Sequence, residues 1–136
     1  MGRQMMTRVQ CMPKDAPRFA AFGFELLDRN GQLWVLCRDE DEEGLTPLVA
    51  LAERDGLEFF GAWTGGGPFP TERFCAAGGA FRCAVADESY ATIARINEDG
   101  TVDARDLALV ADYLDFEHVV EARMKRAAAM AEKEQR

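Results

Sequence analysis

After Gly100 the chain contains neither proline nor glycine, and that absence constrains the fold more than any other feature. Asp103 stands where a helix N-cap belongs, Asp106 follows three residues later, and apolar residues begin at Leu107. The pattern predicts a helix from Ala104 to about Glu134, roughly 46 Å long. A compact domain of this chain length is only about 37 Å across, so the helix is expected to outrun its own domain. Leu107, Val110 and Leu114, with Leu109, Tyr113, Phe116 and Val120, form a wide apolar face suited to packing on a sheet. Past Val120 only Met124, Met130 and an Ala127–Ala129 run stand among charges. The last turns are therefore expected to fray, to bend back or to meet another chain, and a homodimer contact through the helix is open there.

The residues before the helix read as an antiparallel sheet. Phe22, Phe24 and Leu26 alternate, Asp28-Arg-Asn-Gly31 turns, and Leu33 to Cys37 returns, which is a hairpin. Residues 45–55 fit either a short helix opened by Thr46-Pro47 or a strand turning at Arg54-Asp-Gly56, and the turn favours the strand slightly. Leu57 to Trp63 reads as a strand either way. A short helix fits Thr71 to Ala77, and strands are expected at Ala80–Ala86 and Tyr90–Ile96, the latter closing at Asn97-Glu-Asp-Gly100. The predicted fold class is α+β, one domain over residues 1–136. Residues 1–18 form an N-terminal arm, 19–102 a meandering antiparallel sheet of five or six strands, and 103–136 the long helix.

Charge narrows the function. The chain carries a net charge of -8, and residues 19–122 hold seven bases against twenty-one acids. A nucleic-acid binder shows the opposite sign, so no direct nucleic-acid contact is expected. No apolar run approaches the roughly 18 residues of a membrane span, and the first residues lack a signal-peptide pattern. A cytoplasmic protein is the expectation. Cys11, Cys37, Cys75 and Cys83 include no Cys-x-x-Cys pair and read as free thiols, with a Cys75–Cys83 bridge as the minor alternative.

Catalytic constellations are lacking, so the chain is read as a non-enzyme without metal or cofactor. Asn97, Asp99, Gly100, Val102, Asp103 and Asp106 have the spacing of a calcium loop, but Arg95 stands at the first ligand position. A turn followed by an N-cap explains the same residues. His118 lies one helical turn after Asp115 with no second such pair. The candidates that remain are for partner binding. Asp39, Glu40, Asp41, Glu42 and Glu43 form an exposed acidic loop. Trp63 and Phe69 flank the Gly65-Gly-Gly-Pro break as candidate anchors, and Asp112, Asp115, Glu117 and Glu121 add acids along the helix.

Ala76-Ala-Gly-Gly-Ala-Phe, the strands through Ile96, the Asp99-Gly turn and the helix opening Val102-Asp-Ala-Arg-Asp-Leu resemble the second half of the small acidic chaperones of type III secretion effectors. That resemblance implies an acidic module that holds another protein. The alternative is a phage or mobile-element inhibitor, similar in size and charge to anti-CRISPR or immunity proteins. Its acids would imitate phosphate and occupy a basic nucleic-acid-binding groove. Both readings give a protein partner with a basic surface.

Overall fold

The computed structural model describes residues 6–39, 45–64, 70–87 and 89–134. Its strands are β1 (Met6–Cys11), β2 (Glu25–Asn30), β3 (Leu33–Asp39), β4 (Phe59–Thr64), β5 (Thr71–Ala77) and β6 (Ala80–Ala86). They form one six-stranded antiparallel sheet in the order β2-β3-β1-β4-β5-β6. Two short helices, α1 (Ala16–Ala20) and α2 (Thr46–Glu53), interrupt the strands, and α3 (Ala104–Glu134) follows them. The fold is α+β, an antiparallel sheet with one long C-terminal helix.

Within the segment expected as a short helix or a loose arm, Met6–Cys11 is instead a central strand. Val9 of β1 pairs with Leu36 on one side and Gly61 on the other. Thr7, Val9 and Cys11 are buried on one face while Arg8 and Gln10 lie on the other. Threonine and cysteine carry this alternation weakly, which is why it escapes a search for apolar periodicity. A Cβ at Gly61 would collide with the Arg8 carbonyl oxygen, so glycine lets β1 and β4 meet.

Both faces of the sheet are covered. On one, Phe19 of α1 and Leu48 and Leu51 of α2 meet Val9, Leu36, Phe59 and Phe74. Phe19 packs edge-on to Phe59 at 5.3 Å between centroids, and Phe59 to Phe74 at 6.0 Å. On the opposite face α3 sets Tyr113, Val120, Met124 and Ala128 against Leu33, Phe60, Cys75 and Ala77.

Three local readings change. Residues 46–53 are helical, because Leu48, Leu51 and Ala52 recur at helical spacing and all point at the sheet. The Asp55-Gly56 pair that suggested a hairpin is a helix stop. Gly56 N–H donates to the Ala52 carbonyl and Leu57 N–H to that of Leu51, with Gly56 at positive φ. Thr71–Ala77 is strand β5 rather than a short helix, joined to β6 through Gly78 and Gly79, both at positive φ.

Tyr90–Ile96, expected as a strand, makes only the isolated bridges Ala86–Thr92 and Ile96–Val102. Asp87 gathers the N–H groups of Ser89 and Ala91 on its carboxylate, and Tyr90 takes a φ of 65°. After Ile93 N–H bonds the Val85 carbonyl, the chain leaves β6 because Arg95 is held by Asp106.

Helix α3 has 31 residues and so spans about 46 Å. Six strands at about 4.8 Å spacing span about 24 Å. The helix crosses from β6 to the β2–β3 turn, where Glu132 lies against Gly31. Its buried positions are Tyr113, Glu117, Val120, Met124 and Ala128. Tyr113 and Val120 pack as expected, and Met124 and Ala128 extend the packed face toward the C-terminus. Leu107 and Leu109, expected on that face, stay exposed on the first turns, which overhang the β6 edge.

The Asp103 carboxylate accepts the Asp106 N–H at 2.9 Å and caps α3. Asp103→Ala is expected to cost about 0.5–2 kcal/mol in urea unfolding and Asp103→Asn almost nothing. Equal losses from both would show that the charge, not the cap, matters.

Candidate functional site

Among the described residues, the partner-binding candidates expected from sequence do not gather into one site. Trp63 is 6 % exposed, because the alternation of β4 turns it toward the α1 and α2 layer with Phe59. It is a core residue and not a displayed anchor. Phe69, Glu40, Asp41, Glu42 and Glu43 lie outside the described residues. Asp39 is exposed at the end of β3, separated from β6 by β1, β4 and β5. Asp112 and Asp115 are exposed on α3. Glu121 is half-buried and accepts from Lys125 at 2.7 Å.

Glu117 is a different kind of residue. It is 7 % exposed, and both its oxygens accept from the Arg73 guanidinium while Tyr113 Oη donates to one of them. Arg73 also reaches the Tyr90 carbonyl, and Tyr90 Oη bonds Thr64 Oγ1 at 2.8 Å. Beneath this network burial pushes the Cys75 thiol up to about 11 and the Tyr113 hydroxyl further still. A bidentate arginine–carboxylate pair of this geometry fixes register. It sets where α3 lies on β5.

Cys75 and Cys83 sit on opposite faces of adjacent strands, which excludes the bridge between them. His118 and Ser89 are exposed, and Ser89 is engaged only through its N–H to Asp87. Among the described residues no group of three or more His, Cys, Asp or Glu could hold a metal. The calcium-like loop is internally bonded: Asp99 caps Thr101, and Arg95 pairs with Asp106 at 2.8 Å. Positions that would be first and last ligands thus bond each other.

The residues that do converge are apolar ones whose spacing suggested a place in the core. Leu109 is 60 % exposed and Leu107 54 %, on the turns of α3 that have passed the sheet. Leu109 lies one turn before the buried Tyr113, on the side of the helix that would be covered if another strand lay beneath it. Val85 and Ile93 are exposed as well, and Ile96, 72 % exposed, bridges to the exposed Val102. Between β6, the departing 93–95 segment and α3 is a cleft of about 490 Å³, lined by Ala84, Val85, Ile93, Leu109 and Val110 among others. On the other face of the β6 edge a second cleft of about 540 Å³ is bounded by Val49, Ala50, Glu53, Arg54, Phe81 and Cys83. Helix length compared with sheet width carried this signal, but only once the sheet was known.

The chain matches no family model, no curated protein and no solved structure.

The Arg95 side chain, then the Arg95 N–H, holds the Asp106 carboxyl below its usual range. A depressed folded value adds stability that is full above the unfolded value, about 3.9, and is lost as pH falls through the folded one. Asp106→Asn is expected to flatten the acid limb of the stability profile below about pH 4. An unchanged acid limb would show that the pair contributes nothing. Calcium in millimolar excess is expected to leave the wild-type Tm unmoved.

Proposed function

We propose that the chain is a non-catalytic acidic module that binds another protein and holds or blocks it, in the manner of a chaperone. The observation that carries this reading is the exposed apolar patch at the β6 edge beneath the overhanging start of α3. Isolated apolar side chains on a surface need no explanation, but contiguous ones around a cleft mark interaction sites. Val85, Ile93 and Leu109 are exposed and line one cleft, and so are contiguous in this sense. They are set in strong negative charge: residues 87–115 contain eight acids and two bases. Apolar anchors supply affinity and the surrounding charge supplies steering and choice of partner. A basic protein with exposed apolar segments fits both. A second copy would bring this acidic region against itself, so self-association through it is disfavoured. No helix among the described residues is long and apolar enough to cross a membrane. The free thiols fit a reducing cytoplasm, where we place the encounter.

The phosphate-imitating inhibitor is the weaker reading. Of the four helix acids it would use, Glu117 is committed to Arg73 and Glu121 to Lys125.

Suppression of aggregation tests the proposal. The protein is expected to keep reduced lysozyme, a basic client, in solution near stoichiometric ratio, and reduced α-lactalbumin, an acidic one, far less. Added salt should weaken the effect on lysozyme. Leu109→Asp should abolish it without lowering the Tm. No suppression of either client, or equal suppression by Leu109→Asp, would refute the reading.

A further inference from the structure

The apolar patch surrounds a sheet edge, and that edge is unfinished. The Val85 carbonyl accepts from Ile93, so the backbone groups of Val85 point away from β5. Antiparallel strands alternate, inward at one residue and outward at the next. The N–H and carbonyl of Cys83 and of Phe81 therefore also point outward. Among the described residues none of these four groups has a partner on that side. Residues 92–93 begin to pair with β6, then leave it for the Arg95–Asp106 bond, and the rest of the edge stays open.

The two clefts lie on opposite faces of this same edge, one under α3 and one beside α2. Side chains of a strand alternate between faces. We infer that an extended segment of a basic partner protein adds to β6 as a seventh, antiparallel strand. Residues opposite Ala84 enter the cleft formed by Ile93, Leu109 and Val110. Residues opposite Cys83 and Phe81 enter the cleft beside Val49 and Glu53. The first is mostly apolar, with Arg95 and Asp106 at its rim, and the second is bounded by Glu53 and Arg54, so the segment recognised alternates apolar with polar or basic residues. Main-chain bonds to Phe81 and Cys83 supply affinity independent of sequence, and the clefts supply the choice. The eight acids and two bases of residues 87–115 favour a basic partner over a second copy. Strand addition of this kind rests on the protein-binding reading and specifies its mode.

The probe is a fluorescein-labelled, end-blocked decapeptide of alternating lysine and valine, titrated into the full chain. Two further peptides carry N-methyl groups, one on the lysines and one on the valines. Strand addition requires that one of the two loses about tenfold or more in affinity while the other does not. The glutamate–valine counterpart should bind about tenfold or more weakly. Amide exchange at Phe81 and Cys83 should be fast in the free protein and slow in the complex. Cys83→Pro, which removes an outward N–H that β5 does not use, should weaken binding without a large loss of Tm.

Equal binding of the two N-methylated peptides, or unchanged exchange at Phe81 and Cys83, would overturn strand addition and leave the protein-binding reading intact if lysozyme is still held. Failure with both peptide and lysozyme would remove that reading too. Exchange at Phe81 and Cys83 that slows with protein concentration alone would assign the edge to a second copy and overturn the choice of partner.

Discussion

A helix of 31 residues cannot be covered by six strands lying across it, and the molecule is arranged around that mismatch. Something fixes which part of the helix is covered. Arg73, Glu117 and Tyr113 do so, in a bonded cluster where α3 crosses β5. The bidentate guanidinium bonds to Glu117, with Tyr113 on the same carboxylate, favour one register of α3 on β5, since a slip by a turn would move the Tyr113–Glu117 pair away from Arg73. Salt bridging of Arg123 to Glu58 holds the following turn. With the register set, Met124 and Ala128 are buried, and Leu107 and Leu109 are left beyond the sheet.

The other face supplies the rigid half of the molecule. Phe19, Phe59, Phe74 and Phe81 form a continuous run of ring contacts from α1 to β6. Trp63 is used there too, so of the two aromatics flanking the glycine-rich break the described one belongs to the core. The proposed contact surface is made of aliphatic side chains at one edge, where both layers end. In the proposed binding mode the strand edge, the two clefts and the acidic surroundings act together on one partner.

Sequence made the helix legible to within a residue at its start, because N-cap chemistry is local: Asp103 and the absence of breakers suffice. The β2–β3 hairpin was legible in part from its Asn30-Gly31 turn, whereas β5–β6 was not, because Thr71–Ala77 read as a short helix. What was hidden depends on tertiary context. Gly56 at positive φ serves a hairpin turn and a helix stop equally well, and only the burial of Leu48 and Leu51 decides between them. Tyr90–Ile96 has strand composition, yet Arg95 bonds Asp106, eleven residues away, and the chain leaves β6 after Ile93. β1 was missed because its buried face carries threonine and cysteine beside Val9, alternating with arginine and glutamine. Glu117 read as surface charge because nothing in the sequence announces Arg73 as its partner. The candidate site was least legible of all, since its residues were those expected in the core.

Helix α3 is packed along its later turns and bare at its start, and the open edge depends on that asymmetry. Urea unfolding of Leu109→Ala beside Met124→Ala measures it directly. Leu109→Ala is expected to change stability by no more than about 0.5 kcal/mol, and Met124→Ala to lose about 2–5 kcal/mol. Comparable losses at both positions would mean that Leu109 is covered in the free protein, and the open edge would not exist.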